Sequence, residues 1–169
     1  MIDYKNIKLI ISDIDGVWTD GSIYRGTDNI ELKKFSVFDG VGVAYARAAD
    51  LKIAIISARY SPATEHRAKE LGIKDVYNGG LNKLHAYNDL KEKYKLSDDQ
   101  IAYLGDDMVD IPVMEIVANA TPDIMKLAKH VTRVKGGDGA FREAVEWIIE
   151  KQGRTEELYK IMRARVLNS

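Results

Sequence analysis

The sequence predicts an α/β protein built on a mainly parallel sheet, and three observations carry that expectation. Short apolar runs at 8–12, 52–57 ("KIAIIS") and 101–104 ("IAYL") have the length and texture of buried strands. Longer segments of helical period separate them. Each run also ends in a polar or Gly-bearing turn, as strands do where they lead into a crossover helix.

Taken in order, the first strand is 8–12. It is followed by "GSIYRGTDNIELKKFSVFDG", where Gly21, Gly26, Asp28 and Asn29 punctuate two short β-forming stretches. This predicts a hairpin over about 20–38, too small to be a lid domain. Helices are expected at 42–49 and at 62–71, the second with Ser61 as N-cap, Pro62 at its first position and Gly72 after its end. Further helices are expected at 82–94, at 110–117 and, after a Gly-rich turn, at 141–151, with "HVTRV" (130–134) as a possible strand. Residues 1–151 then form one domain, and 152–169 a C-terminal extension. In that extension Leu158, Ile161, Met162, Arg165 and Val166 recur at helical spacing, which fits either a helix packed on its own subunit or an oligomer contact.

Composition narrows the function. The 169 residues carry a net charge of -1, which gives no electrostatic footprint for nucleic acid. No apolar run reaches the length of a membrane span and no secretory signal opens the chain, so the expectation is a cytoplasmic protein with no membrane partner. The absence of Cys excludes disulfides, thiolate metal sites and a Cys nucleophile. His66, His85 and His130 are scattered without ligand spacing and are assigned to structure or surface.

The chemistry is concentrated where strands end. In "LIISDIDGVWTDG" the first strand runs into Asp13 and Asp15, which stand two apart. Ser57 closes the second strand, and Gly105, Asp106 and Asp107 follow the third, with Asp110 one helical turn on. Open parallel sheets bind ligands outside the carboxyl ends of their strands, so these segments converge on one pocket, with Lys83 as a fourth contributor. Repelling carboxylates grouped in this way suit a hard divalent cation such as Mg²⁺. One carboxylate can attack phosphorus while the other serves as acid and base, with Ser57 and Lys83 binding the phosphoryl oxygens and Lys83 offsetting the nucleophile's charge.

Four ordered motifs, "DIDGVWTDG", Ser57 after an apolar strand, Lys83 and "GDDMVD", resemble those of the haloacid dehalogenase superfamily over nearly the whole chain. The resemblance implies a Rossmann-like three-layer sandwich. It also implies Asp13 as nucleophile and metal ligand, Asp15 as acid/base whose backbone carbonyl meets the metal, and Asp106 as the other protein ligand, with Thr19, Asp107 and Asp110 in support. More closely, "FSVFDGVGV", "ISARYSPATEHRAKELGI" and "GGDGAFREAVEWI" resemble the capless phosphatases of 3-deoxy-D-manno-octulosonate 8-phosphate and of nine-carbon sialic-acid-like sugars. That likeness implies a sugar-acid phosphate as partner and a homotetramer in which a neighbour covers the site. It also implies a Gly-rich tail at 136–139 reaching toward an active site, and Asp39 and Gly40 as substrate contacts.

Arg59, two positions after Ser57, is expected at the pocket mouth, where its planar fork suits a sugar-acid carboxylate or phosphate, and Arg67 is a second candidate contact. Arg59 favours the eight-carbon substrate, because nine-carbon-preferring relatives tend to carry an acid there. Lys33 and Lys34 are read as hairpin charge that limits edge pairing. The competing reading is a non-catalytic phosphate-binding module, against which Asp15 argues, since binding alone needs no acid/base group. A mutase is disfavoured because no cap is present to exclude water.

Overall fold

The computed structural model describes residues 3–28, 30–107, 110, 115–116 and 128–168. A five-stranded parallel sheet runs in the order β5-β4-β1-β6-β7, formed by β1 (Leu9–Ser12), β4 (Lys52–Ser57), β5 (Asp75–Asn78), β6 (Ile101–Gly105) and β7 (Glu115–Ile116). β1 lies at the centre, with Ile11 opposite Ala54 on one side and Tyr103 on the other. A separate antiparallel pair, β2 (Tyr24–Arg25) and β3 (Glu31–Leu32), makes the hairpin.

Alternation along the strands divides the core between two faces. Ile10, Ile55 and Leu104 share one core with α1 (Val37–Ala48), α2 (Pro62–Glu70) and α4 (Ala140–Lys151). Leu9, Ile11, Ile56 and Tyr103 share the other with α3 (Lys83–Tyr94), completing the three layers expected. The last helix, α5 (Thr155–Leu167), contributes buried Leu158 to the first core and rests Met162 against it, so this extension packs on its own chain. Arg154 ties its start to the Ala49 carbonyl at 2.7 Å.

Several elements differ from expectation. α1 begins at Val37, five residues earlier than the sequence pattern predicted, because Ser36 caps it by accepting the Phe38 N–H, and packing against α4 carries the helix through Gly40 and Gly42. β5 was not anticipated: "DVYN" has no apolar run, and its strand form comes from pairing with β4. "HVTRV" holds only an isolated bridge at Val131, since the N–H groups of Arg133 and Val134 donate to the Glu143 carboxylate instead of to a strand. Of the helix expected over 110–117, Glu115–Ile116 is a strand paired with β6, and apart from Asp110 the remainder lies outside the described residues. Ser61 begins α2 without a side-chain capping bond. Its backbone is instead clasped by Asn78, which accepts from Ser61 N and donates to Ser61 O.

Candidate active site

β1 delivers Asp13 to the carboxyl edge of the sheet, where its N–H bonds the Leu104 carbonyl and its Oδ1 accepts the Ile14 N–H at 2.7 Å. From the far side of the sheet edge comes Lys83, the first residue of α3, whose helix start is capped by Asn82. Its ammonium lies 2.8 Å from Asp13 Oδ2 and 2.5 Å from Asp110 Oδ1, and it is almost completely buried. Burial opposes the charge on Lys83, but Asp13 and Asp110 outweigh that penalty and raise its pKa.

Asp110 organises the loop after β6. Its Oδ1 also accepts from the Tyr103 hydroxyl at 2.9 Å, and its Oδ2 accepts the N–H groups of Asp106 and Asp107, each at 3.2 Å. Carboxylate oxygens of Asp13, Asp106 and Asp110 lie within 4.8 Å of one another. Since Asp110 already accepts four hydrogen bonds, about all that a carboxylate can take, Asp13 and Asp106 are the side chains left to hold an ion.

The electrostatics fit a divalent cation. Burial, with repulsion from Asp110, raises Asp13 to about 6 against the pull of Lys83. Burial, followed by repulsion from Asp13 and Asp110, raises Asp106 to about 7. One ammonium therefore under-compensates the cluster, and an oxygen-only donor set of this charge suits Mg²⁺.

Gly16 allows the β1 loop to come this close: it has φ +82, and a Cβ there would fall 1.7 Å from Asp106 Oδ2. Buried Thr19 ties the loop together by accepting the N–H groups of Gly16 and Gly21 and donating to Asp15 Oδ1 at 3.4 Å. The Gly-rich turn packs on the same loop within this chain. Gly137 N donates to the Val17 carbonyl, and Gly136 lies so near that a Cβ would meet the Gly16 carbonyl oxygen at 1.9 Å. Ser57, also buried, donates to the Arg59 carbonyl at 3.0 Å and shapes the loop after β4.

The other sequence candidates have partners within the chain. Arg59 has both terminal nitrogens on the Glu31 carboxylate, at 2.5 and 2.9 Å, and its Nε is 3.5 Å from Asp15 Oδ2. The Arg59 hydrogen bonds hold Glu31 down at about 2. The Arg59 fork is therefore already engaged by the hairpin. Arg67 donates to the Ser36 carbonyl at 3.1 Å and pairs with Glu70, joining α2 to the start of α1. Gly40 lies against Arg67 and Leu71. Asp39, expected as a substrate contact, is fully buried and accepts the Arg142 N–H at 3.1 Å, capping α4, whose own N-cap residue Gly139 has no side chain to do so.

Sequence reasoning underrated the hairpin. Lys33 Nζ is 2.6 Å from Asp15 Oδ1 and its side chain is wholly buried, so it is no edge charge. A signal for this was the two-residue spacing of Glu31 and Lys33, which in extended backbone turns both to one side. Lys34 points elsewhere and pairs with Asp138 of the Gly-rich turn at 2.9 Å.

Residues 67–143 match the haloacid dehalogenase-like hydrolase family. Over 163 residues the chain is 43% identical to the 3-deoxy-D-manno-octulosonate 8-phosphate phosphatase of Escherichia coli strain B, covering 93% of this chain and 87% of that protein. This chain belongs to the haloacid dehalogenase-like hydrolases. Among solved structures of this hydrolase family, the 3-deoxy-D-manno-octulosonate 8-phosphate phosphatase of Yersinia pestis superposes with a TM-score of 0.87 at 41% identity, covering 91% of this chain and 86% of that one. The phosphatase of the same name from Moraxella catarrhalis, solved with magnesium, phosphate and a KDO molecule, gives 0.87 at 31% identity and covers 95% of each chain.

Proposed function

We propose that this hydrolase removes the phosphate from a sugar-acid phosphomonoester with the help of Mg²⁺, and that 3-deoxy-D-manno-octulosonate 8-phosphate is its substrate. The observation that carries the reading is the Asp13 carboxylate held between the Lys83 ammonium and Asp106 at the carboxyl edge of the sheet. The names of its relatives across bacteria supply the substrate.

In this reading Asp13 attacks phosphorus while Asp15 gives a proton to the departing sugar oxygen, so that the phosphorus–oxygen ester bond breaks as the aspartyl-phosphate forms. Asp15 then takes a proton from the water that attacks phosphorus, releasing phosphate and restoring the Asp13 carboxylate. Lys83 and Ser57 bind phosphoryl oxygens through both steps, and Asp110 keeps Lys83 in place. Asp13, Asp106 and the Asp15 backbone carbonyl would hold Mg²⁺, which when bound supplies charge stabilisation to those oxygens.

A homotetramer accompanies this reading. Ile23, Tyr24, Ile30 and Leu32 of the hairpin and Val37 and Phe38 beside it are each 45–75% exposed, apolar groups within one short segment that a neighbouring copy would cover. Among the described residues no helix is long and apolar enough to cross a membrane, and a cytoplasmic location is part of the same proposal.

The test is phosphate release from the eight-carbon and nine-carbon sugar-acid phosphates and from common hexose phosphates, with and without Mg²⁺. Strong, Mg²⁺-dependent preference for the eight-carbon substrate is expected. A preference for the nine-carbon ester would move the substrate, and no release from any ester would return the chain to a binding module. Light scattering alongside would reject the tetramer if the active species were a monomer.

A further inference from the structure

We infer that Lys33 is a positioning residue that fixes the Asp15 carboxylate for proton transfer, an inference that rests on the phosphatase reading above. Asp15 is far more open than the residues it works beside: its side chain is 30% exposed, against 10% for Asp13 and 4% for Lys83. A carboxylate at a loop with solvent beside it samples several rotamers, and a proton donor that wanders by an ångström loses much of its value.

The hairpin supplies the restraint. Lys33 Nζ donates to Asp15 Oδ1 at 2.6 Å, and Thr19 donates to the same oxygen at 3.4 Å. The Lys33 side chain is wholly buried, so it has little freedom left to lose. A buried ammonium is tolerated only when paired, so the same burial that hides Lys33 commits it to Asp15. On the other side Arg59 Nε stands 3.5 Å from Asp15 Oδ2, its own orientation set by the Glu31 clamp. Lys33 is thus the closer tether, through Oδ1, and Arg59 the more distant one beside Oδ2. In a chain whose insertion is only a hairpin, the hairpin takes over part of the work of ordering the site.

The consequence is dependence on the leaving group. An aryl phosphate departs without protonation, whereas an alkyl phosphate, such as a sugar phosphate, needs the Asp15 proton. The experiment measures kcat and KM of the full-length protein with Mg²⁺ on p-nitrophenyl phosphate and on the sugar-acid phosphate, for wild type, Lys33→Met, Lys33→Gln and Lys33→Arg. The expected result is a kcat loss of about 10- to 100-fold on the alkyl ester and of less than about 3-fold on the aryl ester, with partial recovery in Lys33→Arg. Lys33→Gln, which retains a hydrogen-bond donor, keeps the test alive if Lys33→Met does not fold. Equal kcat losses on both esters, or a loss confined to KM, would overturn the inference and leave Lys33 as a structural or anion-binding residue. A wild-type protein that cleaves neither ester overturns the phosphatase reading and this inference with it.

Discussion

Lys83 Nζ stands 2.8 Å from Asp13 Oδ2, pairing the proposed nucleophile after β1 with an ammonium brought from the start of α3. Neither group is stable alone in this setting. Asp13 would be a buried carboxylate facing Asp106 and Asp110, and Lys83 a buried cation.

Lys83→Met should therefore act twice. Removing the ammonium leaves Asp13 and Asp110 to repel each other, so the melting temperature should fall by an amount equivalent to about 3 kcal/mol, the lower end for breaking a buried pair. Loss of its charge from the phosphoryl oxygens should lower kcat by about 10²- to 10³-fold. Thermal unfolding and steady-state phosphate release check the two parts separately, and a variant with wild-type kcat would remove Lys83 from the site.

Mg²⁺ should stabilise the protein at neutral pH, because a bound cation offsets the burial and the repulsion from Asp13 and Asp110 that together raise Asp106 to about 7. The melting temperature should rise with Mg²⁺ and fall back with a chelator. Asp106→Asn should abolish that rise, and Ca²⁺, with longer bonds and more ligands, should not restore turnover. A full Mg²⁺ response in Asp106→Asn would place the ion elsewhere.

Gly136→Ala should damage both fold and activity. The new Cβ would meet two backbone oxygens, those of Gly16 at 1.9 Å and of Thr19 at 2.7 Å, and neither can swing aside as a side-chain tip would. A stability loss of about 2 kcal/mol or more is expected, with slower turnover because the displaced loop carries Asp15. Gly153→Ala is the control: its φ of +71 costs about 1 kcal/mol in strain, but no atom lies within 4 Å and the rate should stay unchanged. Equal effects of the two changes on rate would refute the loop-packing account.

Asp39 should make stability fall as pH rises. Burial raises it to about 7, with the Arg142 N–H and the Arg67 charge opposing that rise. Between about pH 4 and pH 7 the folded protein holds a proton on Asp39 that the unfolded chain has released, so this contribution is lost progressively over that window and the penalty is constant above it. Asp39→Asn keeps an acceptor for Arg142 N–H and removes the titration. Its melting temperature should exceed that of wild type by an amount that grows up to about pH 7, equivalent at pH 8 to about 2–4 kcal/mol. Parallel curves for the two proteins from pH 5 to pH 8 would show that Asp39 does not titrate there.

The sequence by itself determined the sheet's central strands and the acids at their ends. A run such as "LIIS" has one stable location, buried between two layers, and Asp13 and Asp15 then stand at its carboxyl edge whatever else the chain does. The helix at Pro62 and the hairpin were equally legible, because a proline at a helix start and turn chemistry act within a few residues. Only the tertiary structure decided the rest, because those relationships join residues far apart in the chain. β5 is a strand through its neighbour β4, and Asp39 is a cap for a helix that begins about a hundred residues later. Arg59 is clamped by Glu31 across 28 positions, and Lys33 reaches Asp15 across 18. A lysine or glutamate on a hairpin reads as solvent charge until packing removes the solvent, and burial, a property of the assembled fold, is what turns it into a partner.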